Sequence, residues 1–69
     1  MTMTPAEKIS AIEVNLSDVR HLIIQAERRI EAENNDSLIS AYDRIACELR
    51  ADAARLREWL ADVKAEVAA

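Results

Sequence analysis

Apolar side chains recur along the chain at alternating steps of three and four residues. The first run is Ile9, Ile12, Leu16, Val19, Ile23, Ala26 and Ile30. The second is Ile39, Tyr42, Ala46, Leu49, Ala53, Leu56, Leu60, Val63 and Val67. Steps of this kind place every member on one stripe of an α-helix, the a and d seam along which helices pair. Between the runs lies "EAENNDS", and the step from Ile30 to Ile39 is nine residues. At 3.6 residues per turn, one continuous helix would point the second stripe about half a turn away from the first. A break at Asn34 and Asn35 removes that conflict. Asn tolerates the left-handed end of a helix, and Asp36 or Ser37 can start the next one.

The pattern therefore predicts an all-α chain folded as an antiparallel two-helix hairpin: a helix over about 5–33, a turn over about 34–36 and a helix over about 37–67, in one domain spanning 1–69. "TPAE" reads as the first helix start, with Thr4 as N-cap, Pro5 at the first helical position and Glu7 closing a capping box. Ala46 and Ala53 lie in the seam, where small side chains let the facing helix come close. Ser40, Cys47, Ala51, Ala54, Ala61 and Ala65 fall on the opposite side of helix 2 and read as helix-forming residues on a solvated surface.

The apolar positions outnumber those one seam can use. Leu38, Ile45 and Trp59 widen the stripe of helix 2 on one side and Leu22 widens that of helix 1, while Val14 and Ile24 stand off the seam. A lone hairpin has one groove, so flanking apolar side chains stay wet unless something covers them. Dimerisation into a four-helix bundle or coiled-coil-like assembly is the expected solution. Its predicted core and dimer residues are Ile9, Ile12, Leu16, Val19, Leu22, Ile23, Ile30, Ile45, Leu49, Leu56, Leu60 and Val63.

Composition narrows the chemistry. The 69 residues contain no glycine, one cysteine and one histidine, which excludes a glycine-rich phosphate loop, an internal disulfide and a four-ligand zinc site built from Cys47 and His21. Asp18 precedes His21 by three residues with no nucleophile in view, so His21 reads as an inert surface residue. Cys47 has Arg44 and Arg50 three residues to either side and reads as a silent small residue. No catalytic residue, metal or cofactor is expected, nor a small-molecule substrate, because a two-helix chain offers no cleft of the usual kind. No apolar run reaches a membrane span and "MTMTPAEK" lacks the features of a signal peptide, so a cytoplasmic protein is expected.

Thirteen acidic residues against nine basic ones leave a net charge of −4, unfavourable for a nonspecific hold on nucleic acid. On helix 2, Glu48, Asp52, Glu58, Asp62 and Glu66 form a stripe interrupted by Arg55, with Trp59 on its apolar margin. Read as a bare solvated face, the stripe has no role. Read as a docking surface for a basic patch on another protein, it is centred on Trp59, Tyr42, Glu48, Asp52, Arg55, Glu58 and Asp62, since Trp, Tyr and Arg dominate interface hot spots.

The leading expectation is a small, non-enzymatic interaction protein: a homodimeric regulator or inhibitor, of the phage or plasmid accessory kind, that docks on another protein and changes its activity. The layout, a short hairpin forming a dimeric bundle, also resembles the Rop family of plasmid RNA-pairing regulators in outline, without a shared motif. That resemblance implies RNA binding, for which helix 1 offers Lys8, Arg20, Arg28 and Arg29 with His21. A purely structural oligomerisation unit is the third possibility.

Overall fold

A computed structural model of the protein describes residues 2–68; Met1 and Ala69, the ends of the predicted 1–69 domain, lie outside the described residues. Two helices make up the fold, α1 (Pro5–Ala32) and α2 (Asp36–Ala68), packed against each other as a hairpin. α1 starts as its sequence dictates. The Glu7 N–H donates to Thr4 Oγ1 (3.2 Å) and the Thr4 N–H donates to Glu7 Oε1 (3.3 Å), with Pro5 following the cap. Two backbone donors left over at the helix start are thereby satisfied.

The turn departs from expectation in its chemistry. No described residue has a positive φ, so neither Asn34 nor Asn35 takes the left-handed cap. α1 ends one residue early, and Glu33 leaves it in an extended conformation, φ −91° and ψ 141°. The Glu33 carboxylate folds over the turn, where Oε1 accepts from the N–H groups of Asn34 (3.0 Å) and Asn35 (3.1 Å). Asn35, rather than Asp36 or Ser37, caps α2: its Oδ1 accepts from the N–H groups of Ser37 (3.0 Å) and Leu38 (3.2 Å). The Ile39 N–H donates to the Asn35 carbonyl (2.9 Å) and closes the first helical turn. Side-chain oxygens take up the backbone N–H groups of the turn and of the α2 start, so the chain reverses without a glycine or a left-handed residue.

The two seams meet as their spacing requires. Ile12, Leu16, Ala26, Ala46, Ala53 and Val63 are buried, and the other seam residues are half-buried, with Val67 the exception. Ala46 is 0% exposed. An alanine on the line between two helices lets the backbones approach and gives room to the larger knobs of the facing helix. Val67 is 57% exposed because α2 has 33 residues against 28 in α1. Its last turn runs past the start of α1 and finds nothing to pack on.

Candidate functional site

The seam divides the surface into two flanks. One carries the charged neighbours of the seam. The Arg50 guanidinium meets the Glu27 carboxylate across the helices at 3.4 Å, both side chains about half exposed, and the register places Glu13, Arg20, Asp43 and Arg57 along the same side. An exposed pair of this kind contributes little, about 0–1 kcal/mol.

The other flank interleaves large apolar side chains with the polar Lys8, Asn15, Arg29 and Asp52. Leu22, Leu38, Ile45 and Trp59 lie on it, exposed at 48%, 44%, 46% and 56%. Shallow grooves run along it. One is lined by Leu22, Ala26, Arg29, Tyr42, Ile45 and Leu49. A second lies among Asn15, Val19, Asp52, Arg55, Leu56 and Trp59, and a third joins Trp59 to Met3, Lys8, Ala11 and Ile12. Leu22 and Ile45, predicted with the core and dimer residues, are therefore surface residues of the hairpin. One position off the a and d seam, a side chain reaches only the rim of a single facing helix.

The residues predicted to bind a partner fall into three places. Asp52, Arg55 and Trp59 come together around one groove, and the Arg55 guanidinium pairs with the Asp52 carboxylate one turn away. Tyr42 sits apart, towards the turn. It is half-buried in the seam, with the Arg29 guanidinium 5.8 Å from its ring centroid, a cation–π distance. Glu48, Glu58 and Asp62 are exposed and point away from the grooves, so the acidic stripe forms the outer face of α2 with Arg55 in its middle. Arg29 went unnoticed as Tyr42's companion because its place over the ring depends on the hairpin register, which helix spacing alone does not give.

His21 and Cys47 are exposed. Among the described residues no three His, Cys, Asp or Glu side chains gather into a group suited to a metal ion, and no helix is long and apolar enough to cross a membrane. The described buried side chains carry no polar atom without a hydrogen-bond partner. What the surface offers chemically is apolar area for packing and a rim of fixed charges. Comparison with protein-family models, with curated proteins and with solved structures finds no match for this chain.

Proposed function

We propose that this protein is a non-enzymatic protein–protein interaction module: a homodimeric helical bundle in the cytoplasm that docks on another protein and regulates or inhibits it. The observation that carries this reading is the apolar flank. Four large apolar side chains, Leu22, Leu38, Ile45 and Trp59, are exposed on that flank, with Arg29, Asn15 and Asp52 among them, and exposed apolar surface rimmed by polar groups marks an interaction site. Dimerisation through that flank gives a four-helix bundle and leaves the outer face of α2 accessible. Glu48, Glu58 and Asp62 then present negative charge on either side of Arg55, with Trp59 and Asp52 at the boundary between the two surfaces. Such a face suits a basic patch on the regulated protein, steering it into contact. The single thiol, Cys47, is exposed, which suits a reducing compartment.

Affinity capture from lysate of the source cell, with and without nuclease, tests the docking step when wild type is compared with a Glu48→Lys, Glu58→Lys and Asp62→Lys triple variant. The expected result is a stoichiometric protein retained after nuclease and lost with the variant. Equal capture by both chains would sink the acidic face as the docking surface. Recovery of RNA, with protein partners lost on nuclease treatment, would replace this reading with RNA binding through Lys8, Arg20, Arg28 and Arg29.

A further inference from the structure

We propose that the occupant of the apolar flank is a second copy of this chain, stacked flank on flank with both turns at the same end, so that α1 of each copy lies over α2 of the other. This rests on the dimeric reading above and adds the interface and its orientation.

The first support is area. The chain exposes 5316 Å², whereas a compact monomer of 7.7 kDa is expected to expose about 4,300 Å². The Cα radius of gyration is 15.7 Å and the molecule measures 50 × 18 × 16 Å, against a radius of about 11 Å for a compact domain of this length. The surplus, about 1,000 Å², is close to the roughly 800 Å² per partner that a standard stable interface buries. That surplus belongs to the elongated rod as a whole, and one dimer contact of standard size would remove most of it.

The second support is the order of side chains along the flank. Near the turn, Arg29 stands level with Tyr42. Leu22 and Ile45 line one groove at the next level, Asn15 and Asp52 share another, and Lys8 lies beside Trp59. A twofold axis parallel to the rod brings each level against itself, with the helices exchanged. Leu22 and Ile45 then face Ile45 and Leu22 of the second copy and close a four-residue apolar layer. Lys8 then faces Trp59 of the second copy, while the two Asp52 side chains sit on diagonal helices rather than opposite each other.

A twofold axis across the middle of the rod pairs residues about the midpoints of α1 (Pro5–Ala32) and α2 (Asp36–Ala68). It sets Lys8 against Arg29, Asp52 against Asp52 and apolar Leu38 against Glu66. The like-charge meetings oppose that arrangement, since like-charge juxtaposition at an interface is costly.

The test uses the full chain. In a Cys47→Ser background, a spin label at Asn34→Cys in the turn reports the distance between turns by dipolar spectroscopy, alongside sedimentation mass at micromolar concentration. The expected result is a mass twice 7.7 kDa and a label separation of about one to two helix spacings, roughly 10–20 Å. A separation near the 50 Å rod length would overturn the orientation, and a monomer mass would overturn the interface. Ile45→Glu should raise the dissociation constant at least about tenfold. Ile24→Glu, equally exposed at 46% but on the far side of α1, should leave it unchanged, with helicity by circular dichroism showing that both variants fold. The reverse outcome places the contact elsewhere and refutes the proposal. A dimer that passes these tests while capturing no partner protein would refute only the docking reading.

Discussion

Ile45 and Arg50 stand on α2 at opposite edges of the same buried seam, and the hairpin treats them differently. Arg50 finds Glu27 across the helix pair at 3.4 Å, so its edge is closed by a partner within the chain. Ile45 is 46% exposed beside an equally uncovered Leu22. Charged side chains are long and hydrated, and they can meet over the rim of a two-helix groove while keeping their heads in water. Aliphatic side chains cannot, because their stabilisation comes only from area removed from water. One flank thus has a charge pair closed within a single hairpin, and the other has apolar side chains that the hairpin leaves uncovered.

The sharpest way to break this contrast is to remove the seam both flanks share. Leu16 is buried, and Leu16→Ala should lower the unfolding free energy by about 2–5 kcal/mol, read by chemical denaturation. Val14→Ala, two residues away and exposed, should change it by less than about 0.5 kcal/mol. The same cost at both positions would mean that the seam is misplaced.

The next effect is on the register that aligns the flanks. Asn35→Ala removes the acceptor for the N–H groups of Ser37 and Leu38 and should cost about 0.5–2 kcal/mol, with thermal denaturation as the check. Asn34→Ala should be nearly silent, since the backbone N–H of Asn34, not its side chain, makes the bond to Glu33.

The smallest effect belongs to the charged flank. A double-mutant cycle on Glu27 and Arg50 should return a coupling of about 0.2–1 kcal/mol that fades as salt is raised. A coupling well above that range, or one insensitive to salt, would show this edge to be buried in an assembly and would erase the distinction between the flanks.

How much was legible beforehand follows from which interactions are periodic. The seam was visible because burial on a helix repeats at steps of three and four, and Ile12, Leu16, Ala46 and Ala53 fell where those steps put them. The start at Thr4 was equally visible, because a capping box is local in sequence. The surplus of Leu22, Leu38, Ile45 and Trp59 was visible too, though not their degree of exposure. The turn was legible as a location but not as a mechanism. Glu33 and Asn35 carry it with side-chain oxygens, an alternative to the left-handed cap that the residue types alone leave open. Around Trp59, the helical spacing put Asp52 and Arg55 within a turn of each other, but the groove they share with Asn15 and Val19 of α1 joins residues far apart in the chain.

The sequence by itself determined two amphipathic helices, their reversal near Asn34 and Asn35, and which residues line the seam, because helix periodicity and capping are short-range properties. Only the tertiary structure decided which side chains of α1 stand level with which of α2: Glu27 with Arg50, Arg29 with Tyr42, Leu22 with Ile45. Those levels depend on the three-residue connection Glu33–Asn35 and on how closely Ala46 and Ala53 let the helices approach. Both are set by packing between segments distant in the chain, which no local pattern encodes.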